Sequence, residues 1–226
     1  MQPGPLAIFI VMLPLLASNG AFLLSAHHEL VPWCIPYIDG CSTISQAGRS
    51  GDTIFFYRAL VFPYSVLLML FWLYCVKWLD SVHGYRTKAA HVTFWLGLAG
   101  STGLLIYIDY LGTTGEVNEL LRRTGAALYF ILIPLAQSLL LYQHYQILRK
   151  KPENTIDSGV VRYQLIIVLL MLIVAVASVI LVATGKDSYE IQNIVEWNFS
   201  LLINLYSAGM IVLWKDFRLV FTGARH

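Results

Sequence analysis

The chain has 226 residues, 58% of them hydrophobic and 12% charged, with a net charge of +2 and a mean hydropathy of +0.66. Soluble domains carry roughly 25% charged residues, so this deficit excludes an ordinary water-soluble fold. The basic residues stand in short clusters beside apolar runs, which excludes a nucleic-acid-binding surface as well.

Six apolar runs follow one another, at about 5–26, 55–79, 91–111, 125–148, 164–185 and 196–217. Each approaches the roughly 20 residues that a helix needs to cross a bilayer. They predict an all-α integral membrane bundle, a single domain over 1–226 with six transmembrane helices. The first run has no basic segment in front of it. Leu24 also stands where a signal-peptide cut after Ala26 would need a small residue. It is expected to persist as a helix.

Between runs one and two lies Cys34-Ile-Pro-Tyr-Ile-Asp-Gly-Cys41, a short loop with a cysteine at each end, and then a polar stretch over 42–52. Run two carries Arg58 near its start and Lys77 near its end, with Cys75 expected as a small buried apolar residue. Pro63 and Pro134 are expected to kink the second and fourth helices. Gly97, Gly100, Ser101 and Gly103 allow close backbone approach along the third. The fifth is almost featureless and is expected to face lipid. In the sixth, Glu196, Ser200, Asn204 and Ser207 fall at i, i+4, i+8 and i+11 and share one face, which must look into the bundle or a cavity.

Loop charges set the orientation. Lys77, Arg86 and Lys88, then Arg149, Lys150, Lys151 and Arg162, then Arg218 and Arg225 collect on one side. The other side has Arg49, Arg122, Arg123 and Lys186, diluted by Glu29, Asp39, Asp52, Glu116, Glu119, Asp187 and Glu190. Both termini are therefore expected in the cytoplasm, with Arg122 and Arg123 running against the trend. The 34–41 loop then falls in an oxidising compartment, where Cys34 and Cys41 are expected to form a disulfide.

That topology puts Arg58, Asp109 and Glu196 at the outer ends of three helices, with Asn198 and several tyrosines at similar depth. Two carboxylates and a guanidinium converging there would bind a lipid headgroup or assist acid–base chemistry on an ester. The plainer reading is an ion network pinning three helices together. The candidate ligand-binding set is Arg58, Asp109, Glu196, Asn198, Ser200 and Asn204, with Asp109 and Glu196 as candidate catalytic groups. His27-His28-Glu29 lacks zinc-like ligand spacing, and His91 and His144 look interfacial rather than haem-binding, so no metal and no cofactor is expected. Tyr142, His144 and Tyr145 look like an interfacial belt. Neither G-x-S-x-G nor H-E-x-x-H occurs.

Three patches carry a family resemblance: Tyr37-Ile with Ser42-Thr-Ile-Ser-Gln-Ala-Gly48 and Phe56-Tyr-Arg58; Leu121-Arg-Arg-Thr-Gly-Ala-Ala-Leu-Tyr-Phe130; and Glu196-Trp197, Asn204 and Trp214-Lys-Asp-Phe217. The chain resembles the FRAG/DRAM/Sfk family of six-span membrane proteins, nearest the branch of the post-GPI-attachment factor and the N-terminal part of the yeast Cwh ceramide-remodelling protein. It departs from that branch where a histidine is expected before Gly125, having Arg122 and Arg123. The resemblance implies lipid handling at the outer or lumenal leaflet, including remodelling of GPI or ceramide-type anchors; it implies no agreed catalytic mechanism, and an enzymatic role would be acyltransferase-like. It implies an endomembrane, plasma-membrane or bacterial inner-membrane setting, with membrane lipids as partners. The alternative is a non-enzymatic scaffold or regulator that binds a sterol or another membrane protein.

Overall fold

The computed structural model describes residues 3–150, 156–186, 188–215 and 217, and all its regular structure is helical. Six long helices are α1 (Gly4–His27), α4 (Thr53–His83), α5 (Lys88–Tyr110), α6 (Glu116–Lys150), α7 (Ser158–Ala183) and α8 (Tyr189–Leu213). Two short ones, α2 (Pro36–Asp39) and α3 (Ile44–Arg49), lie between α1 and α4. Each predicted run thus became one helix, all beginning earlier than predicted and three of them, α1, α4 and α6, also ending later. Five of the long helices, α1 and α4 to α7, are long and apolar enough to cross a membrane. With 25 residues α8 has the length too, but Glu196, Asn198, Ser200, Asn204 and Ser207 interrupt its apolar surface. The chain is therefore a multi-pass membrane protein.

Side chains cap the helix starts where the sequence supplies them. Thr43 accepts from the Gln46 N–H at 2.8 Å, Thr87 from Ala90 at 3.0 Å and Asp157 from Gly159 at 2.6 Å. Cys34 and Cys41 form a disulfide, with their Cα atoms 6.4 Å apart. Helix assignment runs unbroken through Pro63 and Pro134.

The helices pack in chain order, with α5 lying especially close to α6. Gly103 and Gly125 make that approach possible: a Cβ at Gly103 would sit 2.8 Å from the Gly125 carbonyl oxygen, and one at Gly125 would sit 2.6 Å from the Gly103 oxygen. Lower in the bundle, Gln143 Nε2 donates to Thr93 Oγ1 at 2.9 Å, and Gln137 Nε2 to the Ile203 carbonyl at 2.9 Å. In apolar surroundings such bonds fix the register between helices. In the most apolar part of α7 only 11% of residues are buried, against 39–44% in the other four spans, so α7 is mostly a lipid-facing helix.

His144 corrects a sequence expectation. Tyr142 and Tyr145 are about half exposed, as belt residues are, but His144 between them is fully buried. Its Nδ1 lies 2.8 Å from Gln164 Oε1, and its ring meets Trp78 edge-on. Helical periodicity accounts for this, since Tyr142 and Tyr145 are rotated about 200° and 100° from His144 around the helix axis.

Gly125→Leu should lower the thermal unfolding midpoint in detergent, because overpacking typically costs about 1–3 kcal/mol. Gly4→Ala, where nothing lies within 4 Å of an added Cβ, should leave it unchanged.

Candidate functional site

The site is built around α3, a six-residue helix wedged into one end of the bundle. Its sequence is polar, and its backbone is held from three sides. Ser25 Oγ on α1 donates to the Ala47 carbonyl at 2.7 Å, and Trp197 Nε1 on α8 donates to the Ser42 carbonyl at 2.9 Å. The Tyr57 ring of α4 lies where a Cβ on Gly48 would meet it at 2.8 Å. The Glu196 carboxylate faces the backbone N–H groups of Ile44 and Ser45, the first two residues of α3. A helix start has four N–H groups without intrahelical partners and a partial positive charge, so a carboxylate is well placed there. Tyr189 on α8 adds a bond from its hydroxyl to Gln46 Oε1 at 2.6 Å.

Beneath α3 lies a cavity of about 690 Å³, bounded by α1, α3, α4, α5, α6, α7 and α8. That volume suits a small organic ligand or part of a lipid. Its lining changes character with depth. Arg49, Arg122, Arg123, Gln192 and Tyr189 stand towards the α3 end, whereas Ala17, Val61, Leu104, Phe130 and Ala175 line the deeper part. Pro14, also lining, is thirteen residues from the end of α1, roughly 20 Å at 1.5 Å per residue. The cavity therefore reaches about as deep as one leaflet's hydrocarbon, on the order of 15 Å.

Four tyrosines form its inner wall. The Tyr57 and Tyr107 side chains lie close together, and the Tyr64 and Tyr129 hydroxyls lie 3.2 Å apart. The arginines are the main positive groups. Arg122 is mostly buried, at 17% side-chain exposure, and its Nη2 lies 4.0 Å from Glu119 Oε1; Arg123, well exposed, bonds the same carboxylate. Three guanidinium groups thus face two carboxylates, Glu119 at the rim and Glu196 inside. The balance favours an anionic guest.

A family model described as the Frag1/DRAM/Sfk1/Cwh43P N-terminal domain matches residues 5–219, from the start of α1 to beyond the end of α8. The chain belongs to this family. Comparisons with curated proteins and with solved structures gave no match.

In this Frag1-family chain the expected set of six is only partly brought together. Glu196 and Ser200 line the cavity, one helical turn apart on α8. Arg58 does not: one of its terminal nitrogens donates to the backbone carbonyls of Asp109 at 3.0 Å and Leu111 at 2.6 Å. It therefore closes the end of α5, where carbonyls lack helical partners and a cation is favoured. The Asp109 side chain is exposed, and among the described residues no ion pair joins it to Arg58. Asn198 donates to the Tyr37 and Ile194 carbonyls at 2.8 and 2.9 Å, and Asn204 is buried without lining the cavity. The supposed trio of Arg58, Asp109 and Glu196 is thus divided between a helix end, solvent-facing surface and the cavity. Sharing a depth put these groups at one level, but the helical rotation of each decided its direction.

The sequence reading does not include Arg49, Arg122 or Arg123 in the candidate set, and of the wall it places Tyr57 and Tyr107 at the right depth but not Tyr64 or Tyr129. A signal for two of them existed: Arg122 and Arg123 ran against the charge rule for their loop. In the structure both of them pair with Glu119.

If Glu196 anchors α3, then Glu196→Ala should orphan two amide groups at about 1–3 kcal/mol of local stability. Hydrogen exchange at the Ile44 and Ser45 amides should accelerate by one to two orders of magnitude. Glu196→Gln, which keeps an acceptor oxygen, should show a smaller effect.

Proposed function

We propose that this protein handles a lipid of the leaflet at the disulfide end, holding its headgroup among Arg49, Arg122 and Arg123 and an acyl portion in the apolar depth of the cavity. The observation that carries this reading is the polarity gradient of that cavity, basic at one end and apolar over roughly the depth of one leaflet. Family membership supports it, as does the charge pattern that puts this end outside or in a lumen. On the same reading α8 is the sixth crossing, its polar face turned to the cavity and its clamp to α6, and both termini are cytoplasmic.

The chemistry is that of a lipid anchor being bound and remodelled, of the GPI or ceramide type suggested by the nearest branch, in an endomembrane or the plasma membrane. Glu196 is the carboxylate among the cavity-lining residues. An ionised carboxylate has about four acceptor positions, so Glu196, lining the cavity, has capacity to accept a hydrogen bond from a lipid hydroxyl. Arg122 would stabilise the charge developing on an ester oxygen.

Native mass spectrometry of the protein from nanodiscs containing anionic and zwitterionic phospholipid tests the binding. The wild type should retain the anionic lipid. Arg49→Gln with Arg122→Gln should reduce retention at least tenfold, since hydrogen bonds to charged groups are worth about 1.5–3 kcal/mol each. Ser200→Trp should block retention by filling the cavity. Equal retention by all three would place lipid binding elsewhere. Orientation is checked separately by membrane-impermeant thiol labelling, in which Ser81→Cys should react only from the cytoplasm and Asn118→Cys only from the opposite side.

A further inference from the structure

The disulfide loop carries an apolar surface that the described helices do not cover. Pro36 and Gly40 are buried and Tyr37 half-buried, whereas Trp33, Ile35 and Ile38 are 65%, 57% and 68% exposed. One face of the loop is bound to α8. Asn193 Nδ2 donates to the Gly40 carbonyl at 2.7 Å and Asn198 Nδ2 to the Tyr37 carbonyl at 2.8 Å. Gly40 adopts φ +61°, and a Cβ there would collide with the Glu190 carbonyl at 2.0 Å, so this contact is a close backbone fit. The other face points away from the bundle.

Two rulers give the depth of that face. The Tyr37 hydroxyl donates to Asn19 Oδ1 at 3.1 Å, and Asn19 lies eight residues before the end of α1, about 12 Å down its axis. The Tyr37 carbonyl meets Asn198, nine residues into α8, about 13 Å from its start. The Tyr37 ring also packs on Trp197, 5.1 Å between centroids, and Trp197 packs on Phe22 of α1 at 6.0 Å. The loop therefore folds back beside the ends of two long helices instead of standing above them. It shares its depth with Leu23 on the outer surface of α1, itself 53% exposed.

Charge limits how far the loop can sink. Asp39 is exposed, and its carboxylate accepts from the Ile35 N–H at 2.7 Å. A carboxylate is costly in hydrocarbon but not among headgroups, where an indole ring is also favoured.

We propose that the loop closed by Cys34 and Cys41 is an interfacial membrane anchor, with Ile35 and Ile38 inserted among the acyl chains, and Trp33 and Asp39 at headgroup level. The partner is the lipid surface itself. The match in depth to the exposed flank of α1, and the single carboxylate turned back onto its own backbone, favour lipid over a protein partner. Because α3 begins three residues after Cys41, the anchor would also hold the roof of the cavity at a set height in the leaflet.

Spin labels placed singly at Ile38→Cys, Ile35→Cys and Trp33→Cys, in the full chain in lipid nanodiscs with the disulfide intact, test this by collision with oxygen and a water-soluble nickel chelate. Val176→Cys on α7 supplies the lipid reference and Thr114→Cys the aqueous one. Labels at 35 and 38 should favour oxygen, as at 176, with nickel accessibility at least fivefold below that at 114; the label at 33 should fall between the references. Nickel accessibility at 35 and 38 equal to that at 114 would put the loop in water and overturn the proposal. Low accessibility to both reagents would show the patch covered by protein or by a second copy, which overturns it equally.

Discussion

The site depends on one constraint: the N-terminal amides of α3 must be satisfied at a place where the bundle excludes most water. Glu196 meets that need by facing the Ile44 and Ser45 N–H groups, while Trp197 and Ser25 donate to the carbonyls of Ser42 and Ala47. A six-residue helix has almost no stability of its own. Its position is imposed by α1, α4 and α8, and it in turn roofs the cavity. Remove the acceptor on α8 and the roof loses the contact that orients its first turn.

Below the roof, the cavity exists because large side chains come from some directions and small ones from others. Tyr57, Tyr64, Tyr107 and Tyr129 build a wall on α4, α5 and α6, and Gly103 against Gly125 brings α5 and α6 together behind it. Opposite, Ala17, Ala175 and Ser178 leave room on α1 and α7. Polar clamps at Gln137 and Tyr206 hold α6 to α8 further down, so the opening does not run through the bundle. The result is a space with a basic mouth and an apolar end.

Buried polar groups at the opposite end have a different job. The Gln143–Thr93 and His144–Gln164 pairs lie among large aromatic rings, Trp78 at their edge. They bring helices into a single register where apolar packing alone would tolerate sliding. Arg58 is a further case of a charge with a structural duty, closing the carbonyl end of α5.

Length and apolar character were enough, from the residues alone, to mark six helices and the membrane setting, because a bilayer demands about twenty apolar residues whatever surrounds them. The Cys34–Cys41 bond was legible too, since two cysteines closing a short loop, expected on an oxidising side, have little else to do. The three patches of family resemblance were local strings, and a family model covering residues 5–219 agrees with them. What could not be read was direction. Arg58, Asp109 and Glu196 share a depth, but 100° of rotation per residue separates a cavity wall from a helix end or open surface, and that phase is fixed only when neighbouring helices pack. Arg49 could join Arg122 only after α3 had folded back over the bundle, bringing together residues more than seventy positions apart. The residues decided that charges would stand at this end of the membrane; the packing of α3 against α8 decided which of them would face the cavity.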